Sequence, residues 1–220
     1  MPPPPFLFDL DGTLADTLED IAASTNHLRQ QHGLPPASLE AVRSFVGDGA
    51  RQLLRAALHE VLPTAPLALE AALDTAFAAY AEHHREQCTR TVQLYPGVRE
   101  HLERLRREGH ALAVVTNKPE RFAVPIVRHL SLHELLPVVV GGDTLPVRKP
   151  DPAPLRHALQ QLGYTEAAGR PTMVGDGVQD LRAGKALGGR TIACLFGFGD
   201  QKRLMAEGAD QFWRAFGEPV

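Results

Sequence analysis

Asp9-Leu10-Asp11-Gly12-Thr13 places two carboxylates two residues apart, directly after the apolar burst Phe6-Leu7-Phe8, and Gly12 allows a sharp turn behind them. A second acidic pair, Asp176 and Asp180, follows the apolar run Thr172-Met173-Val174 and Gly175. Between these segments stand Thr116-Asn117, after another apolar run, and Arg148-Lys149-Pro150 in a loop rich in glycine and proline. Four carboxylates in one small volume raise one another's pKa or require a cation. Lys149 offsets one charge, so a divalent ion is the natural completion. Hard oxygen donors with room for water and phosphate favour Mg²⁺ over zinc, which prefers His or Cys. The metal, Lys149 and the Thr116 hydroxyl then make a phosphate site, with Asn117 beside it. Phosphoryl transfer consists mainly of positioning and charge neutralisation, and these parts suit it. Of the pair Asp9 and Asp11, one can attack phosphorus. The other can protonate the leaving oxygen and later activate water, a role worth ~10²–10⁴ in rate.

The elements that must carry these residues are legible in the periodicity. Phe6–Phe8 reads as a buried parallel strand. From Asp16 the period becomes helical, with Leu18, Ile21, Thr25 and Leu28 on one face and Asp16 with Glu19 as a capping pair. Gly33, Pro35 and Pro36 close this helix. A second helix follows Gly49, and an alanine-rich third covers Leu69 through Tyr80. Nothing between Asp16 and Arg90 reads as a strand. After Tyr95-Pro96-Gly97, helices alternate with strands at 111–115, 137–140, 172–174 and 191–195, and a short tail completes the chain. Such alternation implies a parallel sheet covered on both faces, with the all-helical stretch inserted above it. Ligands bind beyond the carboxyl ends of strands in such sheets, where the polar segments above lie.

Net charge is −3, with 22% charged and 44% hydrophobic residues, so the composition is that of a globular protein and no basic surface suggests nucleic acid or an anionic membrane. Cys88 and Cys194 have neither metal nor redox spacing and read as ordinary thiols. Met1–Pro5 lacks the basic start and apolar stretch of a secretion signal, and no apolar run reaches membrane-spanning length, so the expectation is a cytoplasmic protein, monomer or homodimer. His129 and His133 lie four apart but lack a third ligand, and His83-His84 carries no pattern.

Taken in order, the four motifs resemble those of the haloacid dehalogenase superfamily, over essentially the whole chain. The resemblance implies a Rossmann-like parallel sheet core with helices on both faces (1–15 and 92–220) and an inserted helical cap (16–91). It implies Asp9 as nucleophile, Asp11 as general acid/base, Thr116, Asn117 and Lys149 at the phosphate, and Mg²⁺ held by Asp9, the Leu10 backbone carbonyl and Asp176, with Asp180 and Asp11 around it. Thr116-Asn117-Lys118-Pro119, Tyr95-Pro96-Gly97-Val98, Gly141-Gly142-Asp143, Lys149-Pro150-Asp151-Pro152 and the cap segment Val46–Arg51 look like bacterial phosphoglycolate phosphatases. Arg51 follows a Gly-x-Gly stretch at a helix start, so the Gly47–Arg51 segment, with Gly49 and Arg51, is expected to close over the site and read the carboxylate of the substrate, a small phosphate ester. A phosphosugar phosphatase, a phosphosugar mutase and a phosphate-sensing regulator stand as alternatives. A dehalogenase is disfavoured by Asp11, and a dinucleotide-binding protein by the absence of Gly-x-Gly-x-x-Gly after the first strand.

Overall fold

Short runs of β-branched and aliphatic residues, buried on both sides, build the sheet on which everything else is mounted. In the computed structural model, which describes residues 2–219, these runs are β1 (Phe6–Phe8), β4 (Leu112–Val115), β5 (Val138–Val140), β6 (Thr172–Gly175) and β7 (Arg190–Cys194). They are joined by β8 (Gln211–Ala215) and β9 (Glu218–Pro219) in the order β5-β4-β1-β6-β7-β8-β9. All pairings are parallel except β8–β9. β1 is central: Phe8 stands in register with Val114 on one side and Val174 on the other. The residues following β1, β4 and β6, namely Asp9, Thr116 and Asp176, therefore emerge from neighbouring strands at one sheet edge.

Helices cover both faces, as parallel strands require. One apolar cluster joins Phe8, Val114 and Val174 to α5 (Val98–Arg107) and α6 (Glu120–His129) through Leu102, Leu105, Ala123 and Ile126. The opposite cluster joins Leu7, Ala113, Val115 and Met173 to α7 (Ala153–Gln161) and α8 (Val178–Ala186) through Leu155, Leu159 and Ala183. The tail is more than a connector. α9 (Gln201–Glu207), β8 and β9 extend the sheet, with Trp213 buried against its first cluster. A five-residue strand of mixed polarity gives little periodic signal, which hides it in the sequence.

Between β1 and β4 lie α1 (Leu18–Gln31), α2 (Leu39–Phe45), α3 (Ala50–Ala57) and α4 (Pro66–Gln87). They share a third apolar cluster built on Ile21, Leu28, Val42, Leu54, Leu73 and Tyr80, into which α6 inserts Phe122. The chain enters and leaves this layer through two-residue strands, β2 (Ala15–Asp16) and β3 (Gln93–Leu94), paired antiparallel. The expected Asp16–Glu19 capping pair does not form. Helix α1 starts at Leu18 with Thr17 as its cap residue; Asp16 Oδ1 accepts from the Leu18 amide at 3.1 Å, and the Thr17 hydroxyl is spent on Asp11 instead. Helix α2, absent from the sequence reading, begins at Ser38, whose hydroxyl accepts from the Ala41 amide. No helix of the described residues is long and apolar enough to cross a membrane.

Asp20, fully buried on α1, ties down the return crossing. Its carboxylate accepts from the amides of Thr91 and Val92, the Thr91 hydroxyl and Gln87 Nε2, at 2.9–3.1 Å. Hydrogen bonds to a charged group contribute about 1.5–3 kcal/mol, and removal strands buried donors. Asp20→Ala is expected to lower unfolding free energy by about 3 kcal/mol, read as a reduced denaturation midpoint in urea.

Candidate active site

The backbone turn after β1 is set by local hydrogen bonding. The amides of Thr13, Leu14 and Ala15 all converge on the Leu10 carbonyl at 3.0–3.3 Å. Gly12 takes φ +79° there, and a Cβ at this position would run into the Asp176 carboxylate. The turn corrects one expectation. The Leu10 carbonyl, with its lone pairs committed to three amides, is not free to ligate a metal.

Asp9, Asp176 and Asp180 each bring a carboxylate oxygen to within 4.8 Å of the others, and all three side chains are buried. Lys149, 1% exposed, lies among them: Nζ is 3.0 Å from Asp9 Oδ1, 2.6 Å from Asp180 Oδ1, and donates to the Val115 carbonyl at 2.6 Å. Asp176 is held by the Thr13 hydroxyl at 3.0 Å and by the amides of Phe198 and Gly199 at 2.6 and 3.2 Å. Asp180 accepts from the Gly177 amide at 2.9 Å at the start of α8, so its place in the first helical turn and its place in the site are one arrangement.

Three carboxylates share one ammonium, and the imbalance is visible in the protonation energetics. Burial, then the charges of Asp9 and Asp180, pushes the Asp176 pKa up to about 8. Burial and Asp9 raise that of Asp180 to about 7 against the opposing pull of Lys149. Burial alone would depress Lys149, but Asp180 and Asp9 outweigh it and hold the ammonium above its ordinary value. Among the described residues, Lys149 Nζ is the one polar partner of Asp9 Oδ1 and Asp180 Oδ1, both buried. Clustered hard oxygens and two compensating charges too few fit a divalent cation bound by oxygen.

Asp11 is not part of that cluster. Its Oδ1 accepts from Thr17 Oγ1 at 2.7 Å, and its two oxygens lie 3.0 and 3.2 Å from Lys118 Nζ. Asp11 thus faces the opening above the cluster and not the prospective metal, contrary to the expectation that it might share in ligation. Thr116 is buried at the end of β4, and its hydroxyl accepts from the Lys118 amide at 3.2 Å; the cap of α6 is Pro119, so Thr116 does not cap that helix. Asn117 bridges the two layers: Nδ2 donates to the Lys149 and Gly47 carbonyls, both at 3.0 Å.

A cavity of ≈ 810 Å³ opens over these groups, bounded below by Asp9, Asp11, Thr116 and Asp176 and above by Gly47–Ala50, Leu53, Tyr80 and His84 of the helical layer. Gly49, at φ +86°, comes so near that a Cβ would stand 3.1 Å from the Asn117 carbonyl. Arg51 goes elsewhere. Its guanidinium pairs with Glu70 at 2.6 Å and with Asp74, on α4, and it does not line the cavity. The expectation that Arg51 reads the substrate is corrected: two acidic partners one helical turn apart capture it. Residues unassigned from sequence line the cavity in its place, notably Arg43, Lys118, Gln179, Tyr80 and His84. Lys118 adjoins Thr116 in the sequence, a usable signal; nothing local marks His84.

The family model described as haloacid dehalogenase-like hydrolase matches residues 6–194. A protein named phosphoglycolate phosphatase from Pseudomonas putida is 40% identical over 204 residues, 91% of this chain and 72% of that protein. One of the same name from Chromobacterium violaceum is 37% identical over 203 residues, 91% and 88% of the two chains. The crystal structure of a predicted phosphoglycolate phosphatase from Haemophilus somnus superposes with a TM-score of 0.83 at 29% identity, covering 97% of this chain and 95% of that one. A haloacid dehalogenase-like hydrolase from Bacteroides fragilis shares the fold, with a TM-score of 0.86 at 19% identity over 98% of both chains.

The raised carboxyl pKa values carry a sign. The folded, metal-free protein holds protons that the unfolded chain releases near pH 4, so this contribution to stability is present at low pH and is lost as pH rises through about 7 and about 8. In EDTA, the melting temperature is expected to fall between pH 6 and pH 8.5, on the order of one to three kcal/mol of stability. Saturating divalent cation should abolish that slope, as measured by differential scanning calorimetry.

Proposed function

The chain belongs to the haloacid dehalogenase-like hydrolase family, and from this we propose that it is a Mg²⁺-dependent phosphatase that converts 2-phosphoglycolate to glycolate and phosphate. The observation that carries the reading is the convergence of Asp9, Asp176 and Asp180 around Lys149, with Asp11 standing apart at the cavity side. One carboxylate pair is thereby split into two environments: Asp9 among the buried acids beside Lys149, and Asp11 at the cavity wall paired with Lys118, the separation that acid/base and nucleophilic roles need. The names of the relatives support the substrate.

In this reading Asp9 attacks phosphorus, a P–O bond forms to its carboxylate, and the bond to the bridging oxygen breaks. Asp11, carrying a proton, gives it to that oxygen as glycolate leaves. Water then attacks the aspartyl phosphate, Asp11 takes its proton, and Asp9 is regenerated with release of phosphate. Lys149 and the Thr116 hydroxyl hold the phosphoryl oxygens, and Asn117 fixes the loop of Lys149 through its carbonyl. Asp9, Asp176 and Asp180 would hold Mg²⁺, which when bound would neutralise charge on the nucleophile and the phosphoryl group. Residues 16–91 act as the cap that shields the aspartyl phosphate from bulk water, and the core is formed by residues 1–15 and 92–220.

Asp9→Asn is expected to remove phosphate release from 2-phosphoglycolate, by at least ~10⁴-fold, with the melting temperature close to wild type; retention of near-wild-type Mg²⁺-dependent turnover refutes the assignment. Arg51→Ala should leave the preference among phosphorylated acids unchanged, because the side chain is engaged with Glu70 and Asp74; kcat/KM ratios over a substrate panel check this.

A further inference from the structure

The reaction proposed above employs the phosphoryl end of the cavity and leaves two buried polar side chains without a task. Lys118, from the loop after β4, has its side chain 4% exposed, and among the described residues its ammonium makes hydrogen bonds only to the two oxygens of Asp11. His84, on α4, is 1% exposed; Nδ1 lies 2.8 Å from Ser24 Oγ on α1, and Nε2 is buried with no partner among the described residues. Its ring is fixed by Tyr80, stacked at 4.8 Å between centroids, and by Phe122 of α6, edge-on at 4.8 Å. Both Lys118 and His84 line the cavity that contains Asp9 and Asp11. Leaving a buried nitrogen unsatisfied is costly, and a ligand that reaches it removes the cost.

We infer that Lys118 of the core and His84 of the helical layer, which line the same cavity, form the subsite for the substrate's carboxylate. This rests on the phosphatase reading, and geometry supports it. In a two-carbon phosphorylated acid a single carbon separates the bridging oxygen from the carboxylate. Asp11 must reach that oxygen to protonate it, so the cation that reads the carboxylate must stand beside Asp11. Lys118 does. The other cations around the cavity are committed or remote. Arg43 donates to the Gly197 and Phe198 carbonyls, Arg182 pairs with Glu207, and Arg203 lies exposed on α9 at the outer wall.

His84 suits the role of second donor because it is neutral: burial, then the charge of Lys118, pushes its pKa down to about 2. Ser24 couples the two rings, its oxygen lying 2.8 Å from His84 Nδ1 and 3.1 Å from His83 Nδ1. Its one hydroxyl proton serves one ring, and the other ring must donate to it. Either ring can be that donor, and the subsite uses the arrangement in which the hydroxyl donates to His84 and His83 donates to Ser24, which puts the His84 proton on Nε2 to meet an anion. Lys118 thus supplies charge and His84 direction, without a second cation competing for Asp11.

The test compares kcat/KM for 2-phosphoglycolate with that for ethyl phosphate, which keeps the chain length and lacks the carboxylate, at saturating Mg²⁺. Wild type is expected to favour the acid. Lys118→Met should reduce the acid-to-ethyl ratio about 10- to 100-fold, and His84→Leu about 10-fold, chiefly through KM. Lys118→Arg and His84→Gln, which keep a donor, should recover part of the loss. An unchanged ratio in both Lys118→Met and His84→Leu overturns the subsite, as does an equal fall on both substrates, which would leave Lys118 serving Asp11 alone. If Lys118→Met does not fold, His84→Leu decides by the same ratio. A wild type that hydrolyses both esters without preference sinks the substrate reading and the subsite together, whereas a selective wild type whose variants keep its acid-to-ethyl ratio sinks the subsite only.

Discussion

A single buried ammonium holds the chemistry of this protein in place. Lys149 stands between the carboxylates of Asp9 and Asp180, with Asp176 completing the ring. Buried charges persist only when paired, and here the pairing is incomplete by design of the residue types: three acids meet one base. The deficit makes the cluster an oxygen-rich receptor for a divalent ion, and it also explains why the acids retain protons when no ion compensates them. The surrounding structure serves to keep that unfavourable concentration of charge from dispersing. The sheet fixes Asp9 and Asp176 on adjacent strands, the turn closed on the Leu10 carbonyl aims Thr13 at Asp176, and the Phe198 and Gly199 amides brace its second oxygen.

The second constraint is the seam between the helical layer and the sheet. It is held by few but directional contacts: Asn117 and Gln179 on the Gly47 carbonyl, Arg43 on the carbonyls of Gly197 and Phe198, and Phe122 inserted among the helices. Polar contacts of this kind exchange with water more readily than an apolar core, which suits a layer that must admit substrate and exclude solvent. Asp20, by contrast, is buried and saturated with donors, so the crossing strands form the rigid end of the layer.

Much of this was legible in the chain. Strands β1, β4 and β6 are short aliphatic runs that end in chemically capable residues, and a parallel sheet with helices on both faces buries them. The tail strand β8, helix α2 and the true start of α1 were missed because each is brief and of mixed polarity, so local periodicity carries no signal. Arg51 shows a different failure. Its position after Gly47-Asp48-Gly49 was correctly placed near the cavity, but the direction of a long side chain is decided by its nearest opposite charges, here Glu70 and Asp74 on a neighbouring helix.

The amino-acid sequence by itself determined which acids and which lysine enter the site, because motif spacing after a strand is a local property of backbone and side-chain reach. Only the tertiary structure decided how the charges are shared: that Asp11 pairs with Lys118 and leaves the metal cluster, that the Leu10 carbonyl is consumed by its own turn, and that His84 comes to face the cavity. Charge partnership depends on distances of a few ångströms between segments separated by tens of residues, and such distances exist only once the chain has folded.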